Sequence, residues 1–233
     1  MRISDALCRV IFSSVLLLTA SSAWATTQAA PSSTAVKPTP TTVTTPDQIV
    51  QQISNELGVA LKAHRKEYKQ DKSKLIALVN RVLLPHFDES YSSILVLGRY
   101  ARTATPEQID AFQKAFYKAL LDRYASGLIH YRMGRVTVVP ARTPPEGRRA
   151  LARTTVKLDD GKRISVIFVF HRDLTGQWKA YDVVIEGISY VASYRSQVGE
   201  EIRHIGLNGL IKRLQTEGGS VINKLKKSGG SGQ

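Results

Sequence analysis

From residue 135 to residue 186 the apolar side chains recur at nearly every second position, and on both sides of that stretch they recur at every third or fourth. A period of two places alternate side chains on opposite faces of a strand, while a period near 3.6 lines one stripe of a helix. The chain therefore has to build a block of strands between two blocks of helix. Short connections inside the alternating block leave no room for crossover helices, so the strands pair antiparallel. The expected class is α+β, with helices packed over the apolar face of one sheet.

Local chemistry sets the boundaries. Thr45-Pro46-Asp47-Gln48 and Thr105-Pro106-Glu107-Gln108 are the same device used twice. A threonine caps, a proline suits the first helical position, and a glutamine reaches back to the capping amide. Ile49, Ile53, Leu57 and Leu61 follow the first box at helical spacing, and Ile109, Phe112, Phe116 and Leu120 follow the second, whose helix is expected to reach about residue 129. Helices over 73–84, stopped by Pro85, and over 89–97, stopped by Gly98, fill the interval. Four strands are expected, at 135–141, 150–158, 163–171 and 178–186. Asp159-Asp160-Gly161 fits a three-residue hairpin loop with Gly161 left-handed, setting Val156, Thr154 and Ala152 against Ile164, Val166 and Phe168. A four-residue loop at 173–176 adds Tyr181, Val183 and Ile185 to that face and turns Asp182, Glu186, Arg153 and Lys157 to the other. Past Gly187 the chain returns directly to helix, with Ile188, Val191, Ile202 and Ile205 available for burial and Gly206 as a break. A curved four-stranded antiparallel sheet covered by several helices is similar to the cone of the nuclear-transport-factor-2 class, with extra helices.

The ends differ in character from the middle. Arg2 and Arg9 precede an apolar run over 10–20, and Ala23-Trp24-Ala25 has a small-x-small form. Residues 1–25 read as a secretory signal peptide cleaved after Ala25, the run being too short to span a bilayer. Residues 26–44, rich in Thr, Ser, Ala and Pro, read as a disordered linker, residues 45–216 as the folded domain, and 217–233 as a flexible tail. Cys8 is the only cysteine and lies inside the signal, so the exported chain carries no thiol nucleophile or thiolate ligand. Lys and Arg number 33 against 19 acids, a balance of +14 that favours anionic surfaces. The five histidines show no i, i+4 pair, and no metal site is expected. No nucleophile elbow or phosphate loop occurs. An enzyme of the cone class acting on a small hydrophobic substrate would have to use Asp182 or His130 inside the cavity. A binder of polyanions is the other alternative.

Three segments in order carry a resemblance: VLLPHFDES at 82–90, LGRYARTATPEQ at 97–108 and YDVVIEGISYVASYRSQ at 181–197. Together, over about 46–214, the chain resembles the toluene-tolerance family of periplasmic phospholipid-binding proteins. The resemblance implies a monomeric, non-enzymatic periplasmic carrier without cofactor, its ligand a phospholipid whose acyl chains sit in an apolar pocket. It implies exchange with an outer-membrane lipoprotein–porin complex and an inner-membrane ABC transporter complex, in the service of outer-membrane lipid asymmetry, and no nucleic-acid partner. Acyl contacts are then expected from Val166, Phe168, Val183, Ile185 and Ile188 on the sheet, and from Leu97, Phe116, Leu120 and Val191 on helices. Arg99, Arg102 and Arg195 lie inside the shared segments and are candidates for headgroup attraction or partner docking.

Overall fold

The helices begin where the capping chemistry puts them. In the computed structural model, which describes residues 44–132, 134–142, 145–158 and 160–228, helix α1 (Pro46–Gln70) opens with Gln48 Oε1 accepting from the Thr45 amide at 2.9 Å. The signal peptide, its cleavage point and nearly all of the linker lie outside these residues. Helix α2 (Lys72–Leu83) is capped by Asp71 and runs into a short 3-10 turn at Pro85. Helix α3 (Glu89–Leu97) is capped by Asp88, whose Oδ1 accepts from the Tyr91 amide at 2.8 Å. Helix α4 (Pro106–Tyr124) repeats the threonine–glutamine box at 3.0 Å.

The sheet is an antiparallel meander of five strands in sequence order: β1 (Val136–Val139), β2 (Arg149–Lys157), β3 (Arg163–Arg172), β4 (Trp178–Ile185) and β5 (Ile188–Ser189). The fifth strand corrects the four-stranded expectation. Glu186 and Gly187 both adopt left-handed φ, 48° and 83°, and so form a two-residue hairpin turn. Ile188 folds back onto Ile185 before helix α5 (Tyr190–Glu217) starts. A non-glycine residue seldom takes that conformation, which is why Glu186 hid the turn.

The β2–β3 register is the expected one, with Val156, Thr154 and Ala152 opposite Ile164, Val166 and Phe168. Between β3 and β4 the register shifts at Val169/Phe170. Val183 and Ile185 stay on the apolar face, opposite Phe168 and Val166, and on the other side of the shift Ala180 pairs with Phe170. The extra residue is Tyr181. A bulge re-aims its side chain, and the Tyr181 ring sits 5.1 Å from Tyr91 and 5.4 Å from His171, off the apolar face where it was expected.

Three buried clusters hold the molecule together. Ile49 and Val50 of α1 pack on Ala152, Phe170, Trp178 and Ala180 of the sheet. Leu57 and Leu61, further along α1, pack on Leu75, Leu78 and Val82 of α2. The largest cluster joins α3, α4 and α5 to helix α6 (Gly219–Ser228). Helix α6 replaces most of the expected flexible tail: Val221, Ile222 and Leu225 are 1%, 0% and 3% exposed. Its entry needs glycine, because a Cβ on Gly219 would lie 2.9 Å from the Arg123 backbone nitrogen. Helix α5 bends at Gly206 (φ 72°), while Ile205 and Ile188, expected inside, are 39% and 61% exposed. Among the described residues no helix is long and apolar enough to cross a membrane.

Candidate functional site

The sheet face that α1 covers is not uniformly covered. At the Phe170 end it is sealed by Ile49 and Val50. Toward the other end stand Val156, Ile164, Phe168, Val183 and Ile185, all half-buried around a buried Val166. Ile188, paired with Ile185, extends this wall outward. Strand alternation and register force these side chains onto one face. Incompletely buried apolar groups side by side on one sheet face form a wall against which another apolar body can lie. All five sheet residues expected from the sequence belong to it, and Val156 and Ile164 were missed although they share the alternation of Val166.

The four helical candidates assemble around a different centre. Leu97 and Phe116 are enclosed by protein, 1% and 5% exposed, with the Phe116 ring stacked 5.2 Å from Phe112 and edge-on 5.3 Å from Tyr194. Leu120 and Val191 lie half-buried at the border of that cluster, beside Tyr124 and Tyr190. The hydroxyls of Tyr124 and Tyr194 share a 2.8 Å hydrogen bond. Burial and that bond push the Tyr194 phenol up, and burial does the same to Tyr117, so both stay neutral.

The arginines mark where two of the sequence segments meet. Arg195 Nε donates to the Leu95 carbonyl at 2.6 Å, and its stem crosses Gly98 so closely that a Cβ there would lie 3.3 Å from it. Gly98 also has φ +57°, so both space and backbone favour glycine. Arg99 and Arg102 are exposed on the turn that follows, with the Arg99 guanidinium 5.4 Å from the Tyr100 ring centre. Arg195 thus joins the second turn of α5 to the end of α3, and Arg99 and Arg102 stand on the turn that adjoins this junction.

Asp182 is on the opposite face from Val183, as expected, but it is buried rather than at the surface. Its Oδ1 accepts from the amides of Val183 at 2.7 Å and Val191 at 3.0 Å, and its Oδ2 from Ser189 Oγ at 2.6 Å. These bonds staple β4 to the first turn of α5, a carboxylate where the helix dipole favours one. A carboxylate spent in this way is not free to act as a base in an apolar cavity. His130 is exposed. Nearby, Asp88 Oδ2 bonds His171 Nε2 at 2.9 Å, and the His171 ring stacks on Tyr91 at 4.4 Å. A groove of about 340 Å³ between α1 and α2 is lined by Tyr68, Ala77 and Leu78 together with His64, Arg81 and the Lys74–Glu67 ion pair. Among the described residues no cluster of His, Cys, Asp or Glu is placed to hold a metal ion.

A sequence model of the MlaC protein family matches residues 51–216. The chain belongs to the MlaC family. It is 31% identical over 178 residues to the toluene tolerance protein ttg2D of Pseudomonas putida, covering 76% of this chain and 81% of that one. It is 26% identical over 182 residues to the intermembrane phospholipid transport system binding protein MlaC of Haemophilus influenzae, covering 77% and 85%. In fold it is similar to the phospholipid-binding protein of Ralstonia solanacearum solved in complex with a phospholipid, with a TM-score of 0.67 at 24% identity over 76% of this chain and 98% of that one. Within the MlaC family match lie both the half-open sheet wall and the arginine junction; α6 falls beyond it.

Proposed function

We propose that this protein is a periplasmic phospholipid carrier: a monomer that holds acyl chains against the sheet wall and leaves the headgroup at solvent. The observation that carries the reading is the incompletely buried row Val183, Ile185, Phe168 and Ile164 beside Val166, in a chain of the MlaC family. Each methylene removed from water contributes about 0.8 kcal/mol, so roughly 30 carbons gain on the order of 20–25 kcal/mol. The same gain is available in a bilayer. Loading and unloading are therefore nearly balanced, and direction has to come from docking partners. The partners are an outer-membrane lipoprotein–porin complex and an inner-membrane ABC transporter complex, and the outcome is an outer leaflet kept free of misplaced phospholipid. The carrier works without catalysis or cofactor. Tail contacts fall to Val166, Phe168, Val183, Ile185 and Ile188, with Leu120 and Val191 at the helical border; Leu97 and Phe116 support that border from beneath. Arg99, Arg102 and Arg195 serve headgroup attraction or docking.

The test is native mass spectrometry with organic extraction of protein purified from the envelope. About one phospholipid per chain supports the carrier. Protein that carries none and takes none up from vesicles refutes it.

A further inference from the structure

The face of the sheet turned away from α1 has a second surface that lipid carriage does not use. Over β4 it is covered by the start of α5, which Asp182 anchors, and by Tyr91 of α3 against His171 and Tyr181. Over β1, β2 and the Arg163 end of β3 it carries exposed side chains. Strand β2 presents Arg149, Arg153 and Lys157 there at every fourth residue, about 13 Å apart at the usual rise, and Arg163 faces Lys157 across the ladder. All four are exposed. None of these three strands contains an acidic residue. The described acids at its edges have partners: Asp182 bonds α5, Glu186 the Ser165 amide, Asp88 the His171 ring beside Arg149, and Asp160 the Lys162 amide in the turn between Lys157 and Arg163. Between the cations project two aliphatic side chains, Val139 at 51% exposure and Leu151 at 45%, with Val139 directly opposite Arg153.

We propose that this outer face adsorbs the protein to an anionic lipid bilayer, with the four cations over headgroup phosphates and Val139 and Leu151 dipping to the acyl boundary. The match is one of charge and texture. Cations spread along a strand that itself holds no acid suit a surface of mobile anions better than one fixed partner. The projecting apolar groups are aliphatic, whereas protein interfaces centre on aromatic and methionine anchors. The contact is weak by construction: each cation near an anionic surface contributes about a five-fold gain in partitioning, and the gain fades within a Debye length of about 8 Å at physiological salt. Such a contact concentrates the protein at a membrane and releases it without a second signal. It goes beyond carriage, since it lies on the opposite side of the sheet from the apolar wall.

The experiment is co-sedimentation of the purified protein, with one N-terminus for every variant, on vesicles of about 30 mol% phosphatidylglycerol in phosphatidylcholine at low salt. Binding is expected that pure phosphatidylcholine does not support and that raising salt from about 50 to about 500 mM abolishes. Arg153→Gln, Lys157→Gln and Arg163→Gln together are expected to weaken it about 100-fold, and Leu151→Ser by a smaller factor, with the urea midpoint as the check on folding. Sedimentation of the triple variant equal to wild type overturns the proposal. So does failure of the wild type to sediment while it binds polyglutamate, which would assign the face to an acidic protein. Extracting lipid from unsedimented protein keeps the two readings apart: protein that yields lipid but does not sediment sinks adsorption alone, and the converse sinks carriage alone.

Discussion

Replacing Asp182 tests whether its carboxylate is a structural staple. Of its three hydrogen bonds, those from Ser189 Oγ at 2.6 Å and the Val191 amide at 3.0 Å join β4 to the start of α5. A hydrogen bond to a charged group is worth about 1.5–3 kcal/mol, so these two account for about 3–6 kcal/mol. Favourable placement at the helix N-terminus adds about 0.3–1 kcal/mol. Asp182→Ala is therefore expected to lose about 4–6 kcal/mol, a large part of the 5–15 kcal/mol typical of a domain. For a chain of this size the melting point should fall by about 10–20 °C. Asp182→Asn retains one acceptor oxygen and should lose about half as much. Ser189→Ala removes a shared partner, because Ser189 Oγ also caps α5 through the Ala192 amide at 3.0 Å. The double variant should thus be less destabilised than the sum of the singles. Urea unfolding followed by circular dichroism at neutral pH measures all four. A loss below about 1 kcal/mol for Asp182→Ala would refute the staple.

Val183→Trp places a large ring over the incompletely buried wall, so the lipid-to-protein ratio should fall while the urea midpoint stays near wild type; a midpoint that falls in step with the ratio refutes the wall as a ligand surface. Phe116→Ala, inside the helical cluster, should instead cost about 3–5 kcal/mol of stability. Truncation after Glu217 removes Val221, Ile222 and Leu225 from the core. At about 1.5–3 kcal/mol for each side chain the shortened chain should lose cooperative unfolding, and a wild-type melt would show that α6 is dispensable. Burial, reinforced by the Lys179 ammonium, holds the His86 imidazole below its ordinary 6.5. The unfolded chain then takes up that proton first, so stability present above about pH 6.5 is lost as pH falls through the window beneath it. His86→Gln should flatten the slope of stability against pH between about 7 and 5, and an unchanged slope refutes the assignment.

What could be read in the sequence was local, and what could not was set by distant partners. The threonine–glutamine boxes, Pro85, Gly98 and the β2–β3 hairpin declare themselves within a few residues, and each holds in the structure. Alternation likewise told which side chains of β3 and β4 share a face. It could not place Tyr181, because the bulge that turns this residue away is completed by Tyr91 and His171, which come from elsewhere in the chain. Nor could composition reveal α6, whose glycines and lysines look mobile until Val221, Ile222 and Leu225 find α4 and α5.

The candidate site shows the same division more sharply. An apolar strand face is legible as apolar; whether it is filled or left open depends on what lies over it. Helix α1 starts on the sheet at Ile49 and Val50 and by Leu57 has changed partners to α2. That change of partner sets how far α1 covers the Phe170 end and where the wall at Val183 and Ile185 begins. Openness is thus a consequence of where one helix leaves the sheet. Shifting that departure by a turn would cover the wall with hydrocarbon of the protein's own while leaving the sheet alternation unchanged.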